Sequence, residues 1–275
     1  MHNILQKIIA QRKKDIEEAK KKFYSSSEDP EIVEGDESRS KTIDSSRLTS
    51  FARTIKNAGF AIIAEVKLAS PTEGRLSSTG DLVSRVKQYE QGGADAISIV
   101  TEKHFFKGDI GFVSQIKKIT HVPVLQKDFI IDEYQIYEAK TVHSDALLLI
   151  ARIVSKKKLQ QFVTLSQKLG IEPVVEIHNQ EDLQKAVATK TRFIAVNARD
   201  LNTFVVDVKK ACRLIKKIPN KFIKLGFSGI KSNKEVKKYQ EAGAKGVLVG
   251  TSLMKAKNIF KFLMSLRATE GSAVI

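Results

Sequence analysis

Four ionisable side chains stand where apolar runs should exclude them: Glu65 and Lys67 at the end of the run 62–66, Lys127 just after 122–125, and Glu176 inside 173–177. An unpaired ammonium taken out of water is costly, so Lys127 must end its strand, be paired, or have chemistry to do. Glu65 and Lys67 are two apart, so in a strand they share a face, the interior one if Ile63 also points inward. A structural ion pair would satisfy that spacing equally well. Adding Lys127 and Glu176 to the same mouth changes the balance, because such a charge set is an expensive way to build a core. The chemistry it suits is proton transfer at neutral pH. A carbonyl under attack needs a proton, and a partly desolvated lysine has its pKa lowered while neighbouring carboxylates hold it up. Asp128, on the opposite face from Lys127, reads as a structural hydrogen-bonding partner.

Further polar groups follow other apolar runs: Asn197 and Arg199 after 193–196, and Ser228 after 222–225. Gly229, with Ser232 and Asn233 behind it, and Gly250-Thr251-Ser252 can offer backbone N–H groups and hydroxyls to an anion near helix starts. Helix capping would explain the Gly-Thr-Ser triplet equally well, so its position has to decide. His178 lies two beyond Glu176, but no third ligand has suitable spacing, and no metal is expected. His104, His121 and His143 read as surface or turn residues, Asp145 and Asp207 as turn and helix-start residues, and Cys212 as filler on an apolar helix face.

The elements that must position these groups repeat. Short apolar runs occur at 62–66, 96–100, 122–125, 146–150, 173–177, 193–196, 222–225 and 246–249, separated by segments of helical periodicity such as Leu159-Phe162-Val163-Leu165-Leu169. Gly93, Gly170 and Gly243 punctuate several of the helix-to-strand joins. This alternation predicts a parallel sheet covered by helices, and eight units predict a closed (βα)8 TIM barrel. An open doubly wound sheet is disfavoured because the first strand is not followed by G-x-G-x-x-G. In such a barrel the C-terminal strand ends form the active face, where the loops after strands seven and eight commonly hold phosphate. Residues 1–60 are expected to form a helical extension packed on the barrel, with helices over 4–23 and 48–58 and 25–40 the most mobile part. The barrel is expected over 61–268 and a tail over 269–275.

The formal charge of +16 would ordinarily raise nucleic acid or an anionic membrane as partner. Its lysines are instead scattered (20–22, 156–158, 216–217, 237–238), with five Tyr and no Trp for base stacking, so no nucleic-acid partner is expected. Neither a signal-type apolar core near the start nor an apolar stretch of about 18 residues occurs, so no membrane partner is expected and a cytoplasmic location is.

Read together, I-I-A-E-V-K-L-A-S-P-T-E-G (62–74), T-E-K-H-F-F-K-G (101–108), P-V-L-Q-K-D-F-I-I-D-E-Y-Q (123–135), V-V-E-I-H (174–178), V-N-A-R-D-L-N-T-F (196–204), S-G-I (228–230) and V-L-V-G-T-S-L-M (247–254) resemble the indole-3-glycerol-phosphate synthase family of tryptophan biosynthesis. The resemblance runs in order over about 46–266. It implies a cofactor-free carboxy-lyase acting on a small phosphorylated substrate, expected as a monomer: 1-(2-carboxyphenylamino)-1-deoxyribulose 5-phosphate loses carbon dioxide and water to give indole-3-glycerol phosphate. By the same resemblance Lys127 is the general acid, Glu176 and Glu65 share acid/base work, and Lys67 contacts the substrate carboxylate or donates a proton in dehydration. Asn197 and Arg199 position the anthranilate part, Phe106, Phe129, Leu148 and Leu201 form its apolar pocket, and Ser70, Ser228, Gly229, Gly250 and Thr251 hold the phosphate. The sequence departs from the family pattern at Phe227, where a glutamate is usual, at Leu68-Ala69, where basic residues are usual, and at Ala198. Phe227 keeps open an alternative, a catalytically weakened phosphosugar-binding barrel.

Overall fold

In the computed structural model, which describes residues 4–26 and 48–267, all six residues of the first and fifth barrel strands are buried. Burial on both faces is what a parallel sheet wrapped by helices requires. In chain order the elements are α1 (Ile4–Ser26), α2 (Ser50–Asn57), β1 (Ala61–Val66), β2 (Ala69–Ser70), β3 (Gly74–Arg75), α3 (Leu82–Gln91), β4 (Ala96–Val100), α4 (Gly111–Lys117), β5 (Val124–Lys127), α5 (Tyr134–Thr141) and β6 (Ala146–Ile150). They continue with α6 (Lys156–Lys168), β7 (Glu172–Ile177), α7 (Gln180–Val187), β8 (Phe193–Asn197), α8 (Val208–Lys217), β9 (Ile223–Phe227), α9 (Asn233–Glu241), β10 (Gly246–Val249), α10 (Thr251–Lys255) and α11 (Ile259–Arg267). Among the described residues eight parallel strands close in the order β1-β10-β9-β8-β7-β6-β5-β4, so the (βα)8 barrel expected from the repeats is present, without sheet edges. The antiparallel pair β2–β3 stands outside the barrel, in the connection from β1 to α3, and the apolar runs gave no sign of it. Residues 27–40 of the segment expected to be most mobile, and the tail 269–275, lie outside the described residues.

Strand alternation sorts the core into two clusters. Ile63, Leu125, Leu148, Val174, Ala195, Leu225 and Leu248 fill the barrel interior, while Ile62, Ala64, Ile97, Leu147, Val175 and Val247 pack outward against the helices. Ile63 therefore points inward, and the i+2 and i+4 positions Glu65 and Lys67 follow it to the mouth. The third strand begins later than its apolar run, at Val124, because Pro123 has no N–H to donate. Its ladder with β4 runs from Ile97↔Val124 to Val100↔Lys127, so Lys127 is its last residue.

Helix starts show ordinary side-chain capping at Ser155, Asn179, Asp207 and Ser232. Gly93, Gly170 and Gly243 take positive φ at helix ends, and His143 does the same work at +61° after α5. Asp145 serves the turn before β6, accepting from the Val124 amide, Ser50 and Lys117.

The two helices ahead of the barrel serve different ends of it. On α2, Phe51 and Ile55 are fully buried and Phe51 meets Phe193, the first residue of β8, edge to face at 5.4 Å between centroids. Thr49 caps α2 through the Ala52 amide and donates its hydroxyl to Glu172 at 2.8 Å, and Arg192 reaches the same carboxylate oxygen at 3.1 Å. Since Glu172 and Phe193 begin their strands, α2 covers the N-terminal mouth. Helix α1 is tied to segments after strands: Arg12 to Asp128, Asp15 to His104, and Lys20 to Asp132.

If α2 is the floor of the core, Phe51→Ala should lower unfolding free energy by about 3–5 kcal/mol in urea titrations. A loss below about 1 kcal/mol would show that the floor is not part of the cooperative core.

Candidate active site

The charges singled out from sequence meet at the C-terminal mouth. Glu65, with 2% of its side chain exposed, receives Lys127 Nζ on Oε2 at 2.7 Å and Lys67 Nζ on Oε1 at 3.1 Å. One carboxylate thus joins a cation from just past β1 to one from the end of β5. Burial would push its pKa up, but the charge of Lys127, and then that of Lys67, outweighs it and holds the carboxyl down at about 2. Lys127 departs from the direction anticipated for a desolvated lysine. Burial does pull its pKa down, yet Glu65, then Glu176, more than compensate, and the net shift is upward. Counting carboxylates in a sequence gives the sign of each influence; only the contacts decide which prevails. Lys127 is consequently a standing ammonium at neutral pH.

Glu176 comes from β7 and is 1% exposed. Its Oε1 lies 3.0 Å from His178 Nε2, and its Oε2 has no hydrogen-bond partner among the described residues. Next to it in the β8–β9 wall, Asn197 pairs in register with Phe227, and its Oδ1 accepts the Arg199 amide at 3.0 Å. Arg199 is braced by its guanidinium bond to the Phe204 carbonyl at 3.2 Å, in a turn that Asp200 knits by accepting from the Asn202 and Thr203 amides.

Part of the cavity wall is apolar. Phe106 and Phe129 face each other at 6.1 Å, with Leu148 and Leu201 lining the same cavity. Glu102, which the sequence reading passed over, organises this side. It is fully buried, and its carboxylate accepts the amides of His104, Phe105 and Phe106 at 2.7–3.0 Å, fixing the loop that delivers Phe106. Asp128 accepts from the Thr101 hydroxyl at 2.6 Å and pairs with Arg12, the structural part expected of it.

At the other side of the mouth, Ser228 (φ 69°) and Gly229 (φ 80°) form consecutive left-handed residues. Tyr239 holds this turn: its ring lies where a Gly226 side chain would be, and its hydroxyl donates to the carbonyls of Phe227 and Ser228. Gly250 is required for a different reason, since a Cβ there would fall 2.2 Å from Glu65 Oε1. Ser252 gives its hydroxyl to the Ile230 carbonyl, Ser232 is consumed by a capping box with Glu235, and Asn233 binds the Leu266 carbonyl. Of the hydroxyls first considered after strands seven and eight, Ser228 and Thr251 line the cavity without such engagement. Ser70 lines it from β2, accepting the Glu73 amide, and Glu73 in turn pairs with Lys255 of α10 across the rim.

Every residue assigned from the sequence to catalysis, substrate binding or phosphate binding borders this one cavity, of about 500 Å³. Phe227, the departure on β9, is 1% exposed and packed in the barrel interior below it. Among the described residues no group of three or more His, Cys, Asp or Glu could hold a metal, and no helix is long and apolar enough to cross a membrane.

Comparison with known proteins converges on one name. A family model described as indole-3-glycerol phosphate synthase matches residues 5–266. Proteins of that name from Caldanaerobacter subterraneus subsp. tengcongensis and Acetivibrio thermocellus are 45% identical over 205 residues and 35% identical over 266. The first alignment covers 74% of this chain and 80% of the relative, the second 96% and 99%. Among solved structures, a 3-hexulose-6-phosphate synthase superposes with a TM-score of 0.63 over 76% of this chain and 98% of its own, at 15% identity, which speaks to the fold alone.

The depressed Glu65 carboxyl makes a pH prediction. A group held at about 2 in the folded chain against 4.5 as an ordinary Glu contributes stability that is complete above about 4.5 and is lost as pH falls towards 2. The urea-midpoint advantage of wild type over Glu65→Gln should therefore shrink steadily from pH 5 to pH 3. A constant difference across that range would mean that Glu65 is not ion-paired.

Proposed function

Because the chain belongs to the indole-3-glycerol phosphate synthase family, we propose that this cavity closes an indole ring in tryptophan biosynthesis, converting 1-(2-carboxyphenylamino)-1-deoxyribulose 5-phosphate to indole-3-glycerol phosphate with loss of carbon dioxide and water. The observation that carries this reading is a protonated Lys127 held between Glu65 and Glu176 at the mouth of a half-apolar cavity.

The chemistry needs a proton donor at the ribulose carbonyl while the anilino ring carbon attacks it. Lys127 supplies that proton: Glu65 keeps it charged and aims it, and the partly water-excluded mouth strengthens its hydrogen bond to the developing alkoxide. Attack at the carboxyl-bearing carbon interrupts the ring's aromaticity, and loss of carbon dioxide restores it. Lys67, 13% exposed and anchored on the same Glu65, meets the departing carboxylate or supplies the proton that the leaving hydroxyl requires. Glu176, with its bare Oε2, takes a proton in the dehydration, and Glu65 completes the acid/base set.

Binding follows the division of the walls. Phe106, Phe129, Leu148 and Leu201 take the aromatic ring, and Asn197 and Arg199 orient it. Ser70, Ser228, Gly229, Gly250 and Thr251 take the phosphate, which the left-handed turn at 228–229 favours by turning backbone groups towards the rim. No cofactor has a part in this scheme, and the carboxy-lyase works as a cytoplasmic monomer. The barrel carries the chemistry, and α1 and α2 brace it.

Burial of Phe227 favours one second reading, a barrel that binds the phosphosugar but turns it over weakly, since β9 ends without a carboxylate. Indole fluorescence separates the two. Wild type should form product, and Lys127→Ala should lose about 10²-fold or more in kcat. Equal turnover in both would remove Lys127 from its role, and tight binding of a reduced substrate analogue without product from wild type would establish the weakened barrel.

A further inference from the structure

Among the buried titratable side chains that the mechanism leaves unused, His178 is the one that touches a carboxylate of the acid/base set. His178 is 6% exposed, directly follows β7, and contributes nothing to the cavity lining. Strand alternation sends Val174, Glu176 and position 178 to the same side, so the imidazole can meet the carboxylate. Its place is fixed by the turn into α7. The His178 amide donates to Asp182 Oδ2 at 3.0 Å, the Asp182 amide donates to Asn179 Oδ1 at 2.8 Å, and Arg152 Nε lies 3.7 Å from the same Asp182 oxygen.

We propose that His178 is the positioning residue of Glu176: its Nε2–H grips Oε1 at 3.0 Å and so leaves Oε2 as the one oxygen free to take the substrate's proton. A carboxylate can only accept, so this ring nitrogen carries the hydrogen. The asymmetry between the two oxygens is what points to function. Glu172 at the other end of the barrel also holds one buried oxygen bare, but it borders no part of the cavity, whereas Glu176 lines it, so only at Glu176 can the bare oxygen meet a substrate. Other charged groups bear on the site: Lys127 from β5 on Glu176, Arg199 on Lys127, and Glu65 from β1 as the primary partner of Lys127. Burial would push Glu176 up, but the hydrogen bond and electrostatic pull of His178, ahead of Lys127, hold its carboxyl below the usual range.

This inference rests on the function proposed above, and its test is built to fail separately. The full chain is labelled with ¹³C in its glutamate carboxyls, and the Glu176 signal is identified by its loss in Glu176→Gln. His178→Leu removes the donor; His178→Gln keeps an amide that can reach Oε1. In the Leu variant the Glu176 titration midpoint should move to higher pH. With 1-(2-carboxyphenylamino)-1-deoxyribulose 5-phosphate, kcat should fall roughly tenfold or more with KM within about threefold, and the acid limb of the kcat profile should move up in step. The Gln variant should return both the midpoint and the acid limb towards wild type. If Leu does not fold, His178→Asn, whose amide is too short to reach, takes its place in the same comparison. An unmoved midpoint and acid limb in a folded donor-less variant, or equal losses in Leu and Gln with an unmoved profile, would overturn the assignment and leave His178 as packing. Should wild type form no product, the proposed function fails, while the carboxyl titration still decides whether His178 grips Glu176.

Discussion

A carboxylate almost wholly withdrawn from water must find positive charge or give up its own, and Glu65 finds two ammonium groups. Neighbouring parallel strands supply them at that position. Lys67 comes from two residues along the same strand, but Lys127 lies 62 residues away and reaches Oε2 only because β1 and β5 both flank β4 in register. The pair in turn constrains its surroundings. Position 250 must be glycine because the Glu65 carboxylate occupies the space of its side chain, so the turn after β10 passes close to the paired charges of Glu65, Lys67 and Lys127. The close approach of that turn is imposed by packing against the Glu65 carboxylate.

The ends of the barrel are finished by opposite means. At the N-terminal end Phe51 closes the core by burying apolar surface, and Glu172, held there by Thr49 and Arg192, is fully buried. Burial there dominates and raises the Glu172 carboxyl, whereas at the other end cations dominate and lower Glu65 and Glu176. Three buried glutamates on inward strand positions thus differ in ionisation according to the cations that each strand's neighbours bring. The end with standing charge is the one that can move protons.

This division explains what could be read in advance. Alternating apolar runs and helix periodicity are local properties, and they sufficed for eight strands and a closed barrel, whereas the inward face of Ile63 needed the packed core to settle it. Charges interrupting those runs were legible because burial penalises them wherever they lie. The hairpin β2–β3 was not legible, since two-residue strands leave no periodic signal. Glu102 was missed because its partners are backbone amides, which every sequence possesses; three amides following an acid at a strand's end could have suggested the turn. In the sequence His178 presents itself only as a metal-ligand candidate, because spacing cannot show that its ring turns back on Glu176. The rise of Lys127 depended on distances to two acids from other strands, information that no single stretch contains. Arg12 and Asp128 belong to the same class, 116 residues apart.

A structure of the protein with the reduced substrate analogue, whose hydroxyl replaces the reacting carbonyl, tests the central claim most directly. The account predicts that hydroxyl within about 3 Å of Lys127 Nζ, the aromatic ring between Phe106 and Phe129, and the phosphate on the turns at Gly229 and Gly250. A phosphate bound elsewhere, or a ring lying outside that aromatic pair with Lys127 still turned wholly to Glu65, would contradict it.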